Sequence, residues 1–203
     1  MTFLEFKRLV LQHLDQYSVA GEMIPLTYNN QADYTMRIAA LANTALRTIA
    51  TQAEMKMASF VPAAREYEGC TELSNGMTKI EMPADFWTMT GRGLPTFEGG
   101  EFHRNMHYQW LTDREILVPT RELNKVVITY YRYPRKLLGT DKELLDCSEA
   151  AADCASFYVA AQLARHDSPY AYQTLYNEFE QMMVRLKKPV ITETSDVEDV
   201  YGF

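Results

Sequence analysis

No apolar run in this sequence reaches the roughly 18 residues of a membrane-spanning helix, so no helical membrane span is expected. Cysteine is scarce. Cys70, Cys147 and Cys154 are the only three, too few and too scattered for a disulfide framework, and they fit a reducing compartment. There is no basic surplus either: 20 Lys and Arg stand against 27 Asp and Glu. A protein that grips nucleic acid by its phosphates needs a basic surface, so tight DNA or RNA binding is disfavoured. The opening, MTFLEFKRLVLQHLDQ, is charged and amphipathic and does not read as a signal peptide. Internal repeats and low-complexity tracts are missing as well.

What is present is core material. Hydrophobic residues make up 47% of the 203 positions, enough for one sizeable domain or two small ones. The charge is unevenly placed. Residues 1–57 carry five basic and five acidic side chains, residues 58–137 ten and ten, and residues 138–203 five and twelve. The whole acidic excess therefore sits in the C-terminal third.

Thr2-Phe3-Leu4-Glu5 has the form of a capping box. Phe3, Phe6, Val10, Leu14 and Tyr17 then recur at helical spacing. After a loop holding Gly21, Pro25 and Asn29-Asn30, a second helix is expected from near Asp33, with Ile38, Leu41, Ala42, Ala45, Leu46 and Ile49 on its buried face. From about Ala58 the period changes. Asn75-Gly76, between TELS and MTKIEM, suits a two-residue type I′ hairpin turn. Pro83 ends that hairpin. Gly91, Gly93, Gly99 and Gly100 mark a loop-rich stretch. Short strands are expected near Tyr108–Leu111 and Glu115–Val118, and the longest from Val126 to Tyr133, β-branched, aromatic and largely covered. Two helices follow. Asp146 is the expected cap of the first, with Glu149 at the third position. Ser168-Pro169 opens the second, whose stripe is Tyr172, Leu175, Tyr176, Phe179, Met182, Met183 and Leu186.

The fold class is therefore α+β: a helical bundle from N- and C-terminal helix pairs, with an antiparallel β section inserted between them and an extended C-terminal tail. The segments are 1–57, 58–137, 138–188 and 189–203.

Chemistry-bearing patterns are sparse. His103 and His107 stand four apart, a spacing that suits two metal ligands on one helix face, and Asp113 follows. The local pattern is not helical, and surface histidines are the plainer reading. Cys147 and Cys154 are seven apart; two helical turns separate them by about 10 Å, too far for a disulfide. Gly91-Arg92-Gly93 precedes no Lys-Ser/Thr pair, so it is not a phosphate loop. Asp141, Glu143 and Asp146 read as a solvated, helix-capping run rather than a cation site. No catalytic residue, cofactor or metal ligand is assigned. The tail, PVITETSDVEDVYGF, has four acids, no base, and apolar groups too sparse for a core: Ile191, Val197, Val200, Tyr201 and Phe203. Such segments dock on partners by laying down a strand or apolar anchors.

Three stretches carry a family resemblance. They are MTFLEFKRLVLQHLDQ with ADYTMRIAALANTALRTIA; KIEMPADFW; and VVITYYRYPRKLLGTDKELLDCSEAAADCASFYVAAQLARHDSPY with the Tyr/Phe-rich helix after it. In order and texture the sequence resembles the head–tail adaptor (connector) proteins of tailed bacteriophages, over most of residues 1–188. The resemblance implies a structural virion protein without catalysis, in a ring of about a dozen subunits beneath the portal. It implies four partners: the portal protein, further copies of itself, the next neck or tail protein, and double-stranded DNA passing without specific binding. It places the protein at the neck of the virion, assembled in the bacterial host cytoplasm. The alanine-rich helix would pack within the subunit and against the next through Ala151, Ala155, Tyr158 and Ala160. The tail would reach the portal. Surplus acids, with Asp141, Glu143, Asp146 and Glu149 as candidates, would face the channel, where they repel phosphate, or a basic portal surface. Alternatives are a head-completion or stopper protein, a small intracellular metal-dependent enzyme using His103, His107 and Asp113, and a DNA-binding module on the N-terminal helices. The last is weakened because Lys7, Arg8, Arg37, Arg47 and Lys56 are offset by five acids.

Overall fold

A computed structural model describes residues 1–14, 18–19, 22–23, 29–62, 67–90, 94–98, 101–106 and 108–187. The fold is α+β, with helices at both ends of the chain flanking an antiparallel β section.

Helix α1 (Phe3–His13) begins as its sequence requires. Thr2 Oγ1 accepts the Glu5 N–H at 3.3 Å, and the Thr2 N–H donates to the Glu5 carboxylate at 2.7 Å. Two first-turn amides remain, and a distant segment accepts them: Phe3 N–H donates to Glu143 O at 2.7 Å and Leu4 N–H to Asp141 O at 3.1 Å. The acidic linker thus completes the start of α1, satisfying amides that no helix can satisfy by itself. Helix α2 (Asn29–Gln52) starts four residues before the expected Asp33. Its stripe Ile38, Ala42, Ala45, Leu46 and Ile49 is buried, while Leu41 is half-buried.

Helix α3 (Glu149–Ala164) is capped by Ser148, whose Oγ accepts the Ala151 N–H at 3.1 Å. The expected cap, Asp146, is engaged elsewhere. α3 is apolar nearly all round and is buried among α1, α2 and helix α4 (Pro169–Leu186). Its alanines permit close approach by three neighbours. α4 opens with Ser168 as cap and Pro169 in the first turn, as expected. It runs antiparallel to α3: Phe179 packs level with Cys154 and Tyr158, and Tyr176 with Tyr158. Of its stripe, Phe179 and Met183 are buried; Leu175, Tyr176, Met182 and Leu186 pack partly against the same core.

The β section contains more strands than the sequence suggested. β1 (Ser18–Val19) and β2 (Glu22–Met23) form a small antiparallel pair in the first loop. The main strands are β3 (Lys56–Phe60), β4 (Cys70–Glu72), β5 (Met77–Glu81), β6 (Phe86–Met89), β7 (Leu94–Glu98), β8 (Glu101–Met106), β9 (Gln109–Trp110), β10 (Glu115–Pro119) and β11 (Ile128–Arg132). One sheet has the order β4-β5-β10-β9, another β3-β11-β6, and β7 pairs with β8. Buried Ile80, Ile116 and Val118 of the first sheet meet Phe86, Ile128 and Tyr130 of the second in one cluster, separate from the helical core.

Three expectations change here. The glycine-rich stretch is not simply loop, because it contains the β7–β8 hairpin. The last strand is shorter than 126–133, because a 3₁₀ turn (Thr120–Lys125) runs up to Val126. The hairpin at Asn75-Gly76 has a three-residue loop rather than a two-residue one. Gly76 N–H donates to Leu73 O at 3.2 Å, and Leu73 N–H to Met77 O at 2.8 Å. Gly76 at φ 75° takes the left-handed position that follows such a turn, which favours glycine.

Candidate functional site

The bundle and the sheets meet where β11 hands the chain to α3 through residues 133–148. Asp146 is the centre of that junction. Its carboxylate accepts Arg132 Nη1 at 2.6 Å and Nη2 at 3.0 Å, Lys56 Nζ at 2.9 Å and the Arg135 N–H at 2.9 Å. The Arg132 fork is bidentate, the geometry in which guanidinium and carboxylate bind most strongly. These donors, Arg132 first, hold the Asp146 carboxyl well below the usual carboxylate range against the opposing effect of burial. Asp85 completes the cluster. It accepts the Tyr130 hydroxyl at 2.9 Å and lies 4.0 Å from Arg132. Burial, then the Asp85 hydrogen bond, pushes the Tyr130 phenol up. One residue from each of β3, β6's leading turn and β11 is thereby tied to the entry of α3.

Beside this cluster the extended chain lies along α2. Asn43 reads Leu137 on both sides: its Nδ2 donates to Leu137 O at 3.0 Å, and its Oδ1 accepts the Leu137 N–H at 2.8 Å. Arg47 stacks over the Tyr133 ring at 4.0 Å. Between α2 and the chain runs an open groove of about 800 Å³, lined by Thr44, Arg47, Thr48, Thr51, Tyr133 and Arg135 among others, with Lys136 at its rim. Arg47, Arg135 and Lys136 are exposed, and none makes an ion pair among the described residues.

The acids named from sequence sort differently from their expected role. Asp146 is 10% exposed and paired within the chain. Asp141 pairs with Lys7. Glu143 accepts the Leu138 and Gly139 N–H groups, at 2.9 and 3.2 Å. Those three are committed to closing the linker, and only Glu149 is an exposed acid on the first turn of α3. The alanines also turn inward. Ala151, Ala155 and Ala160 are buried in the helical core, so the faces expected to meet another subunit are filled by α1, α2 and α4. Tyr158 is half-buried against Tyr176 and Phe179.

Ile191, Val197, Val200, Tyr201 and Phe203 lie outside the described residues, as does His107. His103 lies on strand β8 rather than on a helix, so the helical-face premise of the pair does not hold at His103. Asp113 sits in the bend before β10. Among the described residues, no group of three or more His, Cys, Asp and Glu is placed to hold a metal. Cys147 precedes α3 rather than sharing its face with Cys154. Burial raises both thiols, Cys147 to about 11 and Cys154 to about 12, so neither is a thiolate nucleophile at neutral pH. His13 lies 3.0 Å from Ser156, but Ser156 is fully buried and its hydroxyl donates to Asp153 O at 2.6 Å. Burial lowers the His13 pKa, and the pair reads as core packing.

Among the described residues no helix is long and apolar enough to cross a membrane. Compared with known proteins, the chain matches no family model and no curated protein.

Proposed function

We propose that this chain is a structural virion protein, a head–tail adaptor that forms a ring beneath the portal and extends the DNA channel towards the tail. The observation that carries this reading is the path of the chain. A bundle of four helices sends out a β section between α2 and α3, and takes it back through an extended acidic linker that closes on the start of α1. The three stretches that resemble the adaptor family lie along that path. In this reading the β section and the bundle present two different sides of the subunit, as head-to-tail contacts in a ring require. With the α3 alanines buried, the outer side of α4, where Tyr170 and Val184 are exposed, is the face offered to a neighbouring copy. The tail docks on the portal through Ile191, Val197, Val200, Tyr201 and Phe203. Glu149, the exposed Glu178 and Glu180 of α4 and the tail acids are left to face the channel or a basic portal surface. The ring holds about twelve subunits, matches the portal, passes double-stranded DNA without gripping it, and meets the next neck or tail protein below. No catalytic step is proposed.

The test is quantitative mass spectrometry of purified phage particles from the source that encodes this chain. A fixed copy number on the order of a dozen per particle is expected for a single-vertex ring. Absence from the particle refutes the reading. Deleting residues 190–203 should leave the domain folded and abolish capture by the portal.

A further inference from the structure

The groove between α2 and residues 133–136 is open, and the cations in its lining outnumber the acids. Its three exposed cations, Arg47, Arg135 and Lys136, face a single lining acid, Asp85, which is already engaged by Tyr130 and Arg132. Thr44, Thr48 and Thr51 line one wall. Each hydroxyl donates back to a carbonyl of its own helix, at 3.3, 3.0 and 3.0 Å, so what remains on each oxygen is acceptor capacity. A row of acceptors beside cations, with Tyr133 and Pro134 as an apolar floor, fits an extended acidic peptide. Peptide N–H groups meet the threonines and carboxylates meet the cations.

The chain carries one segment of that chemistry. Residues 188–203 contain Glu193, Asp196, Glu198 and Asp199 and end in Tyr201 and Phe203. The geometry also puts its root within reach. Because α4 runs antiparallel to α3, Lys187 lies level with the start of α3, where Glu54, just past the end of α2, contacts Ser148 and Lys56 of β3 contacts Asp146. The tail therefore leaves the bundle from the end that carries the groove. Sixteen residues span up to roughly 50 Å when extended, against roughly 20 Å for two helix-to-helix spacings across α3. We propose that this groove is the intramolecular seat of the acidic C-terminal segment, residues 188–203. The tail rests there until a partner surface offers a stronger site. The inference depends on the groove and the tail alone, so it stands or fails separately from the virion reading.

The test is fluorescence anisotropy with a labelled peptide of residues 188–203. The chain ending at Lys187 is a suitable receptor, because both cores are built wholly from earlier residues. The peptide should bind this receptor and weaken with added salt. It should bind the full chain at least about tenfold more weakly, since a tethered tail competes at an effective concentration on the order of millimolar. Arg135→Glu with Lys136→Glu should abolish binding. A peptide carrying Glu193→Lys, Asp196→Lys, Glu198→Lys and Asp199→Lys should restore it on that variant and not on the wild type. Equal binding to both receptors, or no effect of the charge reversals, overturns the proposal. So does a full chain that is oligomeric where the shortened one is monomeric, which would put the tail in a neighbour's groove. Binding of a short DNA duplex in place of the peptide overturns it too.

Discussion

Asp146→Asn is the sharpest perturbation of the junction. The change keeps the shape and removes the charge. Asn has one acceptor oxygen where Asp146 has two, so it cannot hold both nitrogens of the Arg132 fork together with Lys56 and the Arg135 N–H. Removing one partner of a fully buried ion pair costs about 3–5 kcal/mol. Arg132 and Lys56 are 23% and 29% exposed, so water takes up part of what they lose. The expected cost is therefore about 2–3 kcal/mol, or a fall in Tm of roughly 4–12 °C for a domain of this size. Urea unfolding followed by far-UV circular dichroism measures it. A double-mutant cycle with Arg132→Met should show that most of the loss is shared between the two positions. The pH dependence gives an independent check. The Asp146 pKa is depressed on folding, so its contribution is fully present above the ordinary value of 3.8 and fades as pH falls through the lower folded value. Wild type and variant should therefore converge in acid. A loss below about 0.5 kcal/mol at neutral pH, within the range of ordinary surface substitutions, or additive behaviour in the cycle, would refute the junction argument.

Other outcomes follow from single residues. Ala155→Leu forces a branched side chain into the fully buried centre of α3 and should lower stability by about 1–3 kcal/mol or more in thermal unfolding. His13 titrates below its ordinary value of 6.5 because it is buried. Its folded pKa is lowered, so its contribution is present above pH 6.5 and lost as pH falls through the folded value; His13→Gln should remove that part of the acid sensitivity, read by denaturation between pH 7 and pH 5. Cys147 and Cys154 should resist a thiol reagent at neutral pH in the folded protein and react promptly in denaturant, because their pKa values are raised to about 11 and 12. Gly76→Val should destabilise the β4–β5 hairpin by about 1–2 kcal/mol, since φ 75° suits glycine and there is free space for a side chain, leaving backbone strain as the cause.

Most of the helices could be read from the sequence because their signals are local. Thr2 with Glu5, and Ser168 with Pro169, mark two starts through contacts three residues apart. The α4 stripe follows its 3.6-residue period. Asp146 and Ser148 are both good caps by residue type, and only the tertiary partners of Asp146 leave the role to Ser148. Arg132 and Lys56, 76 positions apart, take the Asp146 side chain away from the helix. The one available hint was Arg132 itself, a single charge in an aromatic strand that has to find an acid. The small side chains of α3 signal close packing, but sequence cannot say which body packs against them. The β7–β8 hairpin was hidden because glycines at both ends looked like loop, and pairing between strands depends on register rather than on composition.

The stretch that joins strand to helix holds two separate cores together, and its composition follows from that task. Residues 133–148 contribute only Leu137 and Leu145 to the buried helical core. The rest of the segment works through polar contacts: Asp141 and Glu143 carbonyls for the first amides of α1, the Glu143 carboxylate for the turn at Gly139, Asp146 for Arg132 and Lys56. A run of acids that looks solvated in one dimension is thus largely consumed by donors from α1, β3 and β11. That leaves the acidic surplus of the C-terminal third to Glu149 and Asp153 of α3, Glu178 and Glu180 of α4 and the acids beyond Lys187, while Arg47, Arg135 and Lys136 keep their charge exposed. With its acids engaged by these donors, the linker leaves Arg135 and Lys136 exposed, so a protein acidic overall can still present a basic groove. Neutralising Asp141 or Glu143 should disturb the fold more than the surface field, whereas neutralising Arg135 and Lys136 should do the reverse.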